Sequence, residues 1–380
     1  MTTDFGKYLD HKVMEDYNYF LIKVNERTEL QFGLRDSYND DGHEALGESV
    51  EYFGFNILQD DRMRYIIENI VSLPDSNLSQ YNKIGNTIIS HFYGARGIHT
   101  LVTGENEPKL AHFDFVRAVE DQDYIERTKK ITEFYRLHKK RFYGTTELHT
   151  SIQTAARNFC RQKYNDPTRP ASLTDILEWI ASWTTDGTME AIINNTNSLK
   201  DMFDILTSKP GIGEYYGYHC ATSNSVNPIL NFHHDDVFNA PGPGARETLN
   251  LLFPTLKKGK NTWGELVVWL RDNQNVLFKG LNIHEHFHNY TLSNGTKVFS
   301  FDQNKMMVYG TEVSLCQYSV YNYLRANPHL ISRRQVVREE IDICEGALME
   351  YIDGKYQFPT KKKSSKAKEK SVIQKTTSLF

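Results

Sequence analysis

Leu206-Thr207-Ser208-Lys209-Pro210-Gly211-Ile212-Gly213-Glu214-Tyr215-Tyr216-Gly217 is the stretch on which the fold turns. Just upstream, Ser198-Leu199-Lys200-Asp201 has the form of a capping box, a hydroxyl followed three residues later by a carboxylate, and opens a short helix ending near Leu206. Downstream, residues 214–223 are competent to form a second helix. Two glycines one residue apart between two helices make a tight hairpin, because glycine reaches backbone angles closed to other residues. The amide groups at the start of the second helix then face outward and suit an anion such as a phosphate. The alternative is that Gly211 and Gly213 serve the turn alone.

Helix signals continue on both sides. Ser172-Leu173-Thr174-Asp175 repeats the capping box and predicts a helix with Leu173, Ile176, Leu177, Ile180 and Trp183 inward. Further helices are expected over 245–252, over 263–278, and from 311 or 312 to 324. Alternation with a period of two is rare here, so the fold class is mostly α. Residues 1–145 read as a largely helical N-terminal region. In it Met63, Ile66, Ile67 and Ile70 recur at helical spacing over 62–73, and residues 127–141 carry seven Lys and Arg among Phe134, Tyr135 and Leu137. That basic stretch is either a DNA-facing helix or a solvated one with an apolar stripe. Residues 146–345 are expected to form one helical domain, and 356–380 a lysine-rich tail expected to be disordered.

Composition narrows the class of function. A formal net charge of −4 over 380 residues rules out a global field for nucleic acid, so any DNA contact needs local basic patches. Aromatic residues reach 12%, which suits either base stacking or an aromatic-rich core. The four cysteines form no CxxC pair, which argues against a structural zinc site and for a reducing, cytoplasmic setting. The longest apolar run, residues 266–270, is far too short for a membrane span, and the first residues carry no apolar signal core.

A second block follows the hairpin. His233-His234-Asp235-Asp236 leads through Val237-Phe238-Asn239-Ala240 into Pro241-Gly242-Pro243-Gly244-Ala245-Arg246. The Gly-rich turn precedes a helix, so Gly242, Gly244 and Arg246 either make a second anion seat or a plain chain reversal. An acidic residue about twenty positions beyond the hairpin glycine resembles the placing of the catalytic aspartate in helix-hairpin-helix DNA glycosylases. Joined to Glu312-Val313-Ser314-Leu315-Cys316-Gln317-Tyr318 and Tyr321, the order of blocks resembles the α-glutamyl/putrescinyl thymine pyrophosphorylases, or amino acid:DNA transferases. That family shares its helical domain with phage hydroxymethyluracil DNA kinases. The resemblance covers about 172–325, and it departs where Gln317, Val320 and His219 stand.

The resemblance implies a glycosylase-like helical domain acting on double-stranded DNA, in which the pyrophosphate on hydroxymethyluracil is replaced by a small amine or amino acid. In a phage such a base would evade host restriction, in the host cytoplasm. Asp236, Asp235 and Glu312 are the candidate catalytic carboxylates, since an incoming ammonium must lose a proton before it attacks. Gly211, Gly213, Gly242, Gly244, Arg246 and Tyr215 are the candidates for phosphate and substrate. Tyr215, Tyr216 and Tyr218 either pack the hairpin helix or support a base taken out of the stack. No cofactor or metal site is implied, although a divalent cation beside the pyrophosphate stays open.

Two signals are set aside. His284-Glu285-His286-Phe287-His288 satisfies HExxH, but its Gly- and Asn-rich flanks predict a loop, and no third ligand follows at the usual distance. No G-x4-G-K-[ST] loop exists, so phosphoryl transfer by that mechanism is not expected. Two other readings remain: a monofunctional glycosylase that activates water, and a non-catalytic helical module that recognises modified DNA.

Overall fold

The computed structural model describes residues 4–39, 45–46, 61–72, 79–93, 122–137, 150–170, 172–232, 237–259, 261–287, 289–291, 297–300, 305–331 and 350. The chain is mostly α. The one sheet among the described residues is an antiparallel pair, β1 (Asn289–Thr291) and β2 (Lys297–Ser300). The expected domain boundary at 145, the tail 356–380, Asp235 and Asp236 all lie outside the described residues.

Among the described residues, the helices of known extent before residue 145 are α1 (His11–Gln31), α2 (Asp61–Ile66), α3 (Gln80–Tyr93) and α4 (Gln122–Leu137). A π-helical turn, Ile67–Val71, prolongs α2, and Met63, Ile66, Ile67 and Ile70 are fully buried as their spacing predicted. In α4 Phe134 is buried while Lys129 and Lys130 are exposed, an amphipathic helix packed on the domain. Residues 138–141 of the basic stretch lie outside the described set.

After residue 145 the described helices are α5 (Thr150–Lys163), α6 (Leu173–Ser182), α7 (Thr188–Asn195), α8 (Leu199–Thr207), α9 (Glu214–Asn224), α10 (Pro243–Leu252), α11 (Thr262–Asp272), α12 (Gln274–Leu277) and α13 (Val308–Ala326). Both expected caps form. Asp175 Oδ2 accepts from Ser172 N–H at 2.9 Å, and Ser198 Oγ accepts from Asp201 N–H at 3.1 Å. Ile176, Leu177, Ile180 and Trp183 are buried; the Leu173 side chain is outside the described set.

Two helices depart from expectation. The helix expected over 263–278 breaks at Asn273, whose side-chain amide donates to the Trp269 carbonyl at 2.8 Å. Gln274 then exchanges hydrogen bonds with the Met306 backbone, which holds the chain entering α13. As a result α13 starts at Val308, before the expected 311, and Glu312 sits inside the helix rather than at its tip.

Helix α9 organises the rest. Tyr216 to Asn224 are all buried, and polar and apolar residues alternate around every face, so no side of the helix is left for water. Helix α8 covers one face, at Gly217, where an added Cβ would lie 2.5 Å from Thr207 Cγ2. Helix α3 covers another. Helices α10 and α13 pack side by side, and α1 lies across both. Tyr17 of α1 bonds Ser314, and Asp16 takes Arg325 in a two-pronged ion pair at 2.7 and 2.9 Å.

The two hairpin glycines do different work. Gly211 has φ +84°, and a Cβ there would sit 2.5 Å from the Ser151 carbonyl oxygen; Gly213 has φ −83° and no neighbour within 4 Å. Gly211→Ala is expected to destabilise the fold by more than the ~1–2 kcal/mol of a left-handed L-residue. Gly213→Ala should cost no more than about 1 kcal/mol, the preference for Gly over Ala at a helix N-cap. Urea denaturation of the two variants checks the contrast.

Candidate functional site

The hairpin consists of α8, a turn through Pro210 and Gly211, and α9, with Gly213 as exposed N-cap. The helical ladder of α9 begins with Gly217 N–H on Gly213 O at 2.9 Å, so the amides of residues 214–216 precede it. Ile212 is buried and anchors the turn. Lys209 is drawn away from it, paired with Asp186 at 2.9 Å and lying over the Trp183 ring.

The second turn meets the first through Arg246. Pro243 stands at the first position of α10, where its missing N–H is no loss, and Gly242 caps the helix. Arg246 Nε donates to the Pro241 carbonyl at 2.8 Å, and Nη2 pairs with Glu214 Oε2 at 3.1 Å. One guanidinium therefore ties the Gly-rich turn to the start of the hairpin helix. Both partners are a little over one-third exposed, so solvent screens the pair and leaves it able to exchange for another anion.

Glu312 lies beneath this junction, 1% exposed. Its Oε1 accepts the Gly242 amide at 3.0 Å, and its Oε2 is 3.6 Å from His219 Nε2. Burial pushes the carboxyl up to about 7, with the Gly242 amide and the Arg246 charge pulling the other way. Gly242 must be glycine here, because a Cβ would meet the Tyr215 ring at 2.8 Å and Glu312 Oε1 at 3.5 Å. The half-buried Tyr215 ring packs 4.2 Å from the His219 ring, and Tyr309 closes the other side at 5.8 Å.

The structure thus gathers Glu312, Tyr215, Gly242 and Arg246 at one place. Gly244 backs them, its Cα face pressed on the Cys316 thiol, and burial pushes that thiol up to about 12. Cys316 is packing, not a nucleophile. Tyr216 and Tyr218 are core residues of α9. Gly211 faces α5 rather than Glu312, and Gly213 precedes Glu214 at the rim. Asp235 and Asp236 fall outside the described residues.

Three participants escaped the sequence reading. His219 follows Tyr215 by four residues and Tyr309 precedes Glu312 by three, spacings that put each pair on one helix face. Asn239, three residues before Gly242, is 6% exposed and neither atom of its amide has a hydrogen-bond partner, a burial that costs about 1–3 kcal/mol. No sequence pattern marks it. Elsewhere Glu285–Phe287 form a single 3-10 turn, and His288 lies outside the described set. Among the described residues no group of His, Cys, Asp and Glu is placed to hold a metal, and no helix is long and apolar enough to cross a membrane.

No curated protein and no solved structure matches the chain. The family described as 5-hmdU DNA kinase, helical domain, matches residues 138–331, just over half of the 380 residues. The matched stretch contains the hairpin, the Gly-rich turn, Glu312 and His219. On that match, the chain belongs to the family of the 5-hmdU DNA kinase helical domain.

Proposed function

We propose that the chain acts in thymine hypermodification of DNA, replacing the pyrophosphate on hydroxymethyluracil with a small amine or amino acid, in a phage setting where the product base resists host restriction. Family membership supports the substrate class. The observation that carries the reaction is the buried Glu312 carboxyl, pushed up to about 7 and set under a Gly-rich helix start. A proton acceptor works best when its pKa lies near the operating pH.

In this reading the target base leaves the stack, at a cost of a few kcal/mol. Turning of the Tyr215 ring opens the way to Glu312. The amine nitrogen attacks the methylene carbon with its lone pair, the bond from that carbon to oxygen breaks, and pyrophosphate departs with the bonding electrons. The ammonium proton passes to Glu312, with Asp235 and Asp236 as further candidate acceptors. Arg246, released from Glu214, and the Gly244 N–H at the start of α10 receive the departing charge. The amides of residues 214–216 hold a DNA phosphate and set register without reading sequence. A divalent cation is compatible with this scheme and is required by no residue of it.

Three outcomes test the reading. Purified protein is incubated with DNA carrying the pyrophosphorylated base and a panel of amines, and the digested nucleosides are weighed. An amine-bearing thymidine is expected, formed about 100-fold or more slowly by Glu312→Gln. Untouched substrate that still binds would leave a recognition module, and released free base would leave a glycosylase. Separately, Gly213→Ala puts a methyl into the open space that a DNA phosphate at the start of α9 would enter, and is expected to weaken DNA binding about 10-fold, the loss of one charge-assisted hydrogen bond. Fluorescence anisotropy at a fixed salt concentration reads it.

The third outcome concerns stability. Glu312 is raised in the folded chain from 4.5 to about 7, so between these values the folded state holds a proton that the unfolded chain has released. That contribution is complete below the unfolded value and is lost as pH rises through the folded one. Relative to Glu312→Gln, the wild type should therefore lose stability across this window, by at most about 1.4 kcal/mol per pH unit. Urea melts of both proteins at its two ends provide the comparison.

A further inference from the structure

Each oxygen of Glu312 has its own neighbour. Oε1 takes the Gly242 amide at 3.0 Å, and Oε2 faces His219 Nε2 at 3.6 Å, just beyond hydrogen-bond length and an ion pair when the imidazole is protonated. A second imidazole stands behind the first. His91 of α3 is 2% exposed, and its ring centroid lies 6.4 Å from that of His219. Its Nε2 is hydrogen-bonded to Ser223 Oγ, and that hydroxyl donates to the His219 carbonyl at 2.9 Å. Ser223 has one proton to give, and Met63 Sδ at 3.1 Å competes for it with the His219 carbonyl; with the proton on either of these, the hydroxyl oxygen accepts from His91 Nε2–H in the tautomer that carries it. The order His91, Ser223, His219, Glu312 thus runs from a helix outside the matched stretch 138–331 to the centre of the site.

We propose that His219 and His91 are positioning residues for Glu312: the His219 imidazole holds the carboxyl oxygen that the Gly242 amide leaves open, and the His91–Ser223 hydrogen bond fixes the helical turn from which the His219 ring projects. The assignment rests on Glu312 as the proton-accepting group. Around the carboxyl stand His219 from α9, Arg246 from α10, Tyr17 from α1, and Cys316 on its own helix. His219 in turn faces Tyr215, Tyr218, Tyr309 and His91. Of these, Arg246 and His219 can offer positive charge to the ionised carboxylate from another element. Removing the imidazole should raise the Glu312 midpoint, and loosening it should do so to a lesser degree.

The test uses the full chain labelled with 13C at its glutamate carboxyls, without DNA or amine. The Glu312 resonance is assigned by its loss in Glu312→Gln, and its titration midpoint is followed by NMR. His219→Phe is expected to raise that midpoint by about 1 pH unit or more. His219→Gln, whose amide still donates, should raise it less. His91→Phe should shift it in the same direction, and His91→Gln, which keeps a donor for Ser223, should restore it. Circular dichroism confirms folding, and His219→Asn, polar and too short to reach Glu312, replaces the phenylalanine variant if that one does not fold. A wild-type midpoint in folded His219→Phe or His219→Asn overturns the assignment of His219, and one in folded His91→Phe overturns that of His91. No turnover enters the measurement, so a protein inactive on modified DNA would sink the proposed reaction and leave this assignment standing.

Discussion

Helix α9 is surrounded on every side, and most of the architecture follows from that constraint. A helix carrying His219, Thr222, Ser223 and Asn224 among apolar residues cannot be buried unless each polar group finds a partner or bears a desolvation cost. The helix itself supplies most of those partners: Ser223 donates to the His219 carbonyl and Asn224 to the Cys220 carbonyl at 2.8 Å, His91 of α3 bonds Ser223 from outside, and Thr222 Oγ1 and Asn224 Oδ1 bear the cost of burial without a hydrogen bond. The hairpin turn, the N-terminal helix α3 and the pair α10–α13 are thereby held to one arrangement around one rod.

The chemistry is set by the same geometry. Glu312 is buried because α13 enters the core early, pinned by the exchange between Gln274 and Met306. Its carboxyl ends at the start of α10, where a helix favours negative charge, yet burial outweighs that help and keeps the proton near neutrality. Arg246 holds the roof in place through two bonds that are neither deep nor strong, which suits a group asked to change partners during a reaction.

Local punctuation was legible in the sequence. The capping box at Ser172, the N-cap at Ser198 and the Pro210–Gly213 turn stand where their residues announced them, because each is decided within a few positions of chain, while Asp201 reaches the Asn197 amide instead of closing a second box. Long-range matters were not. The N-terminal helices α1 and α3 pack onto α13 and α9 through Tyr17, Asp16 and His91, contacts that no local pattern encodes. At the site, Glu312, Gly242, Arg246 and Tyr215 could be singled out by residue type and order. The role of His219 could not, since a lone histidine on a buried helix reads first as core, and only the fold brings it to Glu312. The break at Asn273 was missed because it depends on Met306, a residue 32 positions away from Gln274.

The joint between the first and last long helices also bears on how the molecule comes into being. Tyr17 reaches Ser314 across 297 positions, and Asp16 reaches Tyr318 across 302. Contacts of such separation form only after all the chain between them is available, and closing so large a loop opposes their formation. During synthesis α1 is made well before α13 and waits, its aromatic face of Tyr17 and Phe20 without the helix that covers it. The surroundings of Glu312 are completed only when α13 joins the helices made before it. Until α13 arrives, the nascent protein is a set of helices with an open seam, the condition in which chains of this size depend most on chaperones.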